Sequence, residues 1–324
     1  MQKKIRPRSQ IYPFDESVSI SHKSLNTNNT NNYQVWYYHI ADSDYFEIIS
    51  LTRLLPSDRT QYIIHNNETG GDLERLYIIL KGNVTLQTPL GKYKLRKFDS
   101  IFCPDNLAHQ FQNEGLEECL IGSIVLTKNS NIGFDDFIKY AINNRHEVHD
   151  DFEDCDYNNI ADEPTIWEFN SIDPVLRTRS KSVGGSERFE WFVEPDELDS
   201  VSSTDIICLD PGKKIGFHTH MPEYEGQVEE IYWIFNEKAQ LRTEYFDKNV
   251  NKYDLIFFPP GSSHQIYNCT LNTLWFGAWI GSDSTNSYKN TLGQDRTGYI
   301  EEYKRIIEAR KRRGLPIPPE TLSD

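Results

Sequence analysis

Three histidines and one glutamate in the second half of the chain are the residues best placed to do chemistry. His218 and His220 are two apart, and on a strand residues so spaced share one face, so both imidazoles can reach a single ion. Glu230 opens the apolar run Ile231-Tyr-Trp-Ile-Phe235, and His264 follows a Pro259-Pro-Gly261 turn that would set it at the start of a further strand. Three imidazole nitrogens with one carboxylate suit one divalent transition metal, iron, manganese, nickel or zinc, with positions left for water and substrate; iron is favoured. Lone histidines are more often core side chains, but here the spacing, the turn and the acidic partner agree. Around the ion, Tyr232 and Ile234 share the strand face of Glu230, and Ile266 and Asn268 that of His264. Trp275 and Trp279 follow at even spacing and read as core or as a pocket wall.

Elements able to position these side chains emerge when the chain is compared with itself. Asp99–Asn113 lies over Asp254–Asn268 at an offset of 155 residues without a gap, with seven of fifteen positions identical. The same offset sets Tyr77 on Tyr232 and His65 on His220. Two copies of one domain follow. In the first copy Ile63 stands for His218, His65 for His220, Arg75 for Glu230 and His109 for His264. An apolar group and a guanidinium that cannot deprotonate replace two ligands, so the first copy should hold no catalytic metal unless Glu74 swings in.

Short runs rich in Tyr, Ile, Phe, Trp and Val between turn signals predict strands in both copies, hence an all-β fold of two tandem jelly-roll barrels. The expected divisions are an N-terminal extension over 1–34, a first barrel over 35–130, an acidic linker with a short helix over 131–165, a second barrel over 166–285 and a helical tail over 286–324. In the tail, Glu301 and Glu302 precede Arg310-Lys-Arg-Arg313, the charge order that a helix dipole favours.

Of the 324 residues, 49 are acidic and 34 basic, and a net charge of −15 argues against a nucleic-acid partner. No apolar run approaches the ~20 residues of a membrane helix, so no membrane partner is expected. The basic first ten residues lead into no apolar stretch, which makes the cytoplasm the expected compartment. Five cysteines without a CxxC pair read as reduced, mostly core thiols. His146-Glu-Val-His149 reads as a solvated linker and Gly184-Gly-Ser-Glu-Arg188 lacks the marks of a phosphate loop. Ser262 and Ser263 beside His264 give only a weak serine-nucleophile reading.

These residues resemble the cupin superfamily. Its first motif, G(X)5HXH(X)3–4E(X)6G, is matched by Gly212, His218 and His220, and its second, G(X)5PXG(X)2H(X)3N, by Pro259, Gly261, His264 and Asn268. The departures are Glu237 and Tyr253 at two motif glycines and nine residues between His220 and Glu230, where a literal count points to Glu225 as a rival ligand. Glu230 is preferred because the family glutamate directly precedes a Tyr-containing apolar strand. The repeat makes the chain similar to a bicupin with its metal in the second barrel. The long approach to Glu230 and the Phe276-Gly-Ala-Trp279 run look partly like the 5-deoxyglucuronate and 5-keto-4-deoxyuronate isomerases. That resemblance implies a small oxygen-rich substrate, sugar- or keto-acid-like, isomerised by proton transfer with Glu225 and Tyr232 as acid or base. A non-haem iron dioxygenase and a non-catalytic binding bicupin are the alternatives, and a homodimer is admitted.

Overall fold

The computed structural model describes residues 8–23, 32–46, 48–62, 73–104, 107–127, 163–172, 174–179, 186–193, 201–219 and 228–281. They form an all-β chain that divides into two units. Tyr12–Phe169 belongs to the first, and Arg8–Ile11 with the residues from Asn170 onward to the second. Each unit is a jelly roll with a seven-stranded sheet, joined by a three-stranded sheet in the first and a four-stranded sheet in the second.

Side-chain alternation places the cores. In the second unit Tyr232 and Ile234, Ile256 and Phe258, and Phe276 and Ala278 point from the large sheet to meet Ile215, Leu241 and Ile266 of the small one. In the first, Tyr77, Ile79, Ile101, Cys103 and Ile121 meet Leu86, Leu95 and Phe111 in the same way. The other face of the second large sheet is also buried, around Trp233 and Trp279. Gly277 belongs there because a Cβ at that position would sit 2.2 Å from the Trp279 ring.

The repeat is kept hydrogen bond for hydrogen bond. Asn268 Nδ2 donates to the Leu209 and Asn272 carbonyls, and Asn113 Nδ2 to those of Leu54 and Glu117, 155 residues earlier in each case. Asp254 accepts from the Asn251 N–H and Asp99 from that of Arg96, both at 2.7 Å. Phe98 and Tyr253 occupy matching left-handed positions at φ 73° and 69°, as do Ser57 and Gly212 at 69° and 74°.

The edge strands depart from the expected divisions. Gln10–Tyr12 adjoins Leu255–Phe258 in the large sheet of the second unit, whereas Thr165–Trp167 pairs with Ser100–Cys103 in the first. These strands are themselves one repeat apart, so each copy's leading strand completes the other copy's sheet. Strand Ile20–Lys23 also joins the first sheet, inside the segment expected as an extension. The expected linker and C-terminal helices lie outside the described residues. Among the described residues only two 3-10 turns occur, Glu16–Val18 and Phe169–Ser171, and no helix is long and apolar enough to cross a membrane. Cys103, Cys119 and Cys208 are buried free thiols and Cys269 is exposed.

Candidate metal centre

Three strands of the second unit deliver the candidate ligands. Lys214–Thr219 pairs antiparallel with Ser263–Tyr267, with His218 directly opposite His264. Between Ile215 and His218 the register shifts by one residue, a bulge at Gly216 and Phe217. Ile215 and His218 therefore face the interior together, and Phe217 is turned outward under the Arg242 guanidinium. His264 enters from the turn that the Ser262 N–H closes on the Pro259 carbonyl at 3.0 Å, with Gly261 at φ 76°. Strand Glu229–Ile234 runs between Leu255–Phe258 and Leu274–Gly281, and brings Glu230 opposite Phe258 and Ile280.

His218, Glu230 and His264 place one ligand atom each within 4.8 Å of one another. His264 is fully buried and Glu230 nearly so, and Glu230 Oε2 lies 2.8 Å from His264 Nε2. The Nδ1 of His218 donates to the Gly216 carbonyl at 2.9 Å, and that of His264 faces the Ser262 carbonyl at 3.4 Å. With Nδ1 as the donor on each ring, both Nε2 lone pairs would turn to the shared space, the arrangement that metal-bound histidines use. It also sets the His264 lone pair against a carboxylate oxygen. Two acceptors at that distance need a proton or a cation between them.

The ring of His264 stacks on Phe258, centroids 3.9 Å apart, with the edge of His218 at 4.3 Å. Below the ligands Tyr232, 1% exposed, sets its hydroxyl 3.2 Å from His264 Nε2 and hydrogen-bonds Glu230. Burial first, and then the charge of Glu230, push its ionisation well above 10, so it keeps its proton and acts as a donor. Beside it lies a buried ion pair, Arg188 with Glu190, that sequence reasoning missed.

Of the residues singled out from the sequence, the structure brings together His218, Glu230, His264 and Tyr232, while His220 and Glu225 lie outside the described residues. Trp275 and Trp279 do not line the site. Tyr232 pairs with Ala278 and Ile231 with Trp279, so the even-spaced tryptophans occupy the opposite face, where Trp279 packs on Trp233. Ser262 is buried and bonded to Ser9.

The first barrel keeps part of this arrangement. Tyr77 and His109 repeat the tyrosine–histidine pair at 2.6 Å, and the His109 Nδ1 donates to the Leu107 carbonyl at 2.8 Å. Arg75 takes the place of Glu230 and donates from Nη1 to the Tyr77 hydroxyl at 3.2 Å. Ile63 and His65 lie outside the described residues, and among the described residues no second group of candidate metal ligands occurs.

Two tandem jelly rolls, with a histidine-carboxylate cluster inside the second, make this a bicupin fold. No family model matches the chain, and no curated protein matches it in sequence. Solved structures do. A Pseudomonas aeruginosa protein named for induction by glyoxylate aligns at TM-score 0.59 and 11% identity over 86% of this chain and 90% of its own. Protein Ylba from E. coli aligns at TM-score 0.55 and 11% identity over 86% and 92%. The oxalate decarboxylase of Lactobacillus farciminis, solved as a formate complex, aligns at TM-score 0.56 and 12% identity over 87% and 88%. At such identities the likeness shows the fold alone.

Proposed function

We propose that the second barrel is a metal centre, with His218, His220, Glu230 and His264 as ligands to one divalent transition metal, iron favoured, and that the chain is an enzyme isomerising a small oxygen-rich substrate. The observation that carries the metal reading is the approach of Glu230 Oε2 to His264 Nε2 at 2.8 Å, with both described histidines tied through Nδ1 to carbonyls. Arg188 is held by Glu190, so the buried Glu230 carboxylate beside the histidines is the group that a cation would balance.

Such an ion, when bound, supplies Lewis acidity that polarises a carbonyl and its neighbouring hydroxyl and makes the adjacent C–H acidic. The chain supplies the rest. Tyr232, protonated and buried beneath the ligands, orients Glu230 and His264, a positioning role rather than that of a base. Glu225, five residues after His220, is the residue assigned to proton transfer.

Metal analysis of the purified full chain, together with turnover of sugar- and keto-acid substrates in the absence of oxygen, tests this reading. One metal per chain and oxygen-independent turnover that tolerates manganese or zinc are expected. Stoichiometric oxygen uptake would replace the isomerase by a dioxygenase, and a chain that binds no metal would remove the whole reading.

A further inference from the structure

We infer that the first barrel holds a binding site for a small carboxylate anion on Arg75, at the position where the second barrel places Glu230. Arg75 is 9% exposed, on the strand Leu73–Lys81. Its Nη1 is engaged by the Tyr77 hydroxyl, and Nε is buried with no hydrogen-bond partner among the described residues. What remains is the Nε–Nη2 edge, the side of a guanidinium that takes a planar carboxylate through two parallel hydrogen bonds.

Charge points the same way. The groups that feel Arg75 are Tyr37, Tyr77, Cys103 and His109. Burial raises Tyr37 to about 12 and pushes Tyr77 and Cys103 up further, so none is an anion near neutral pH. His109 is lowered to about 4, first by burial, and is neutral as well. Among the described residues no Asp or Glu pairs with Arg75. The contrast with the second barrel is direct: Arg188, equally buried, has Glu190 against it. A buried guanidinium whose described neighbours are neutral hydrogen-bonding groups is suited to an anion of single charge, and its open edge to a planar one. The site is in a different unit from the metal cluster and does not rest on that reading.

The test is isothermal titration of the full chain with acetate and glycolate, with chloride as a non-planar control. It is run as purified, after chelation of metals, and in Glu230→Gln, Arg75→Met and Arg75→Lys. Saturable one-site binding of the carboxylates, over chloride, should survive chelation and Glu230→Gln, and its Kd should rise at least tenfold in Arg75→Met. Should Arg75→Met fail to fold, Arg75→Lys keeps the charge without the fork and should weaken binding at least threefold. Absence of carboxylate binding in the chelated protein, or unchanged affinity in the arginine variants, overturns the inference. Binding that vanishes on chelation would place the carboxylate on the metal centre, and overturns this inference while supporting the metal reading.

Discussion

The hydroxyl of Tyr232 offers a sharp test of whether the second barrel is built around an ion. Tyr232→Phe removes one oxygen and leaves the ring against Phe258 and Phe276, 5.0 and 5.1 Å away, so the packing survives. What disappears is a buried hydrogen bond to the Glu230 carboxylate and a contact at 3.2 Å with His264 Nε2. A hydrogen bond to a charged group contributes about 1.5–3 kcal/mol. If its work is to hold Glu230 and His264 as ligands, that energy passes to metal affinity, which at about 1.4 kcal/mol per tenfold step means a loss of roughly 10- to 100-fold. Competition for metal against a chromophoric chelator measures it on the full chain. Tyr77→Phe is the control, since it breaks the equivalent 2.6 Å contact with His109 and should leave metal affinity unchanged. Affinity within twofold of wild type in Tyr232→Phe, or an equal loss in Tyr77→Phe, would refute the reasoning.

Glu230→Gln should abolish metal binding by roughly two orders of magnitude or more, whereas Glu225→Gln should lose turnover with metal content unchanged; metal titration of both decides which carboxylate is the ligand. His109, lowered from 6.5 to about 4 in the folded state, binds its proton more readily unfolded, so its contribution is complete above about pH 6.5 and lost as pH falls towards 4. That is about 3 kcal/mol at 1.36 kcal/mol per pH unit, and denaturant titration across this window should show the loss relieved in His109→Gln. Asn113→Ala removes the side-chain partner of the Leu54 and Glu117 carbonyls and the Gly115 N–H, and Asn268→Ala that of the Leu209 carbonyl and the Thr270 N–H, while the Asn272 carbonyl keeps the Thr270 hydroxyl; each should cost about 3 kcal/mol by equilibrium unfolding.

Much of the fold was legible because the repeat preserves side chains that tie backbone at turns. Asn113 and Asn268, Asp99 and Asp254 carry the same hydrogen bonds in both barrels, and residues under that constraint keep their identity. Tyr253, a departure from the motif glycine by type, still adopts the left-handed backbone, at φ 69°, that glycine adopts without strain. Arg188 and Glu190 escaped notice for a physical reason. In Ser186–Val193 a period of two puts Phe189, Trp191 and Val193 on one face and the charged pair on the other, which reads as solvent-facing. Pairing reverses that reading: Glu190 lies opposite Ile207, a core residue, and buries its partner arginine with it. The exchanged edge strands were likewise hidden, since Gln10–Tyr12 falls in the N-terminal extension expected over 1–34, whereas hydrogen bonding sets it in the second large sheet.

One frame thus carries two opposite polarities. A tyrosine and a histidine, 32 residues apart in each barrel, stand at the same depth with their ring nitrogen and hydroxyl in contact. The residue two before the tyrosine differs in sign, Glu230 in one barrel and Arg75 in the other. Glu230 stands there in the second barrel, a buried carboxylate 2.8 Å from a histidine nitrogen, with Arg188 held by Glu190 close by. Arg75 stands there in the first barrel, where among the described residues the neighbouring Tyr77 and Cys103 are held neutral by burial and its Nε has no hydrogen-bond partner. A buried charge of either sign is costly without its counter-ion, so on the two proposals above the exchange at this one position would turn a cation-binding frame into an anion-binding one without altering the barrel around it.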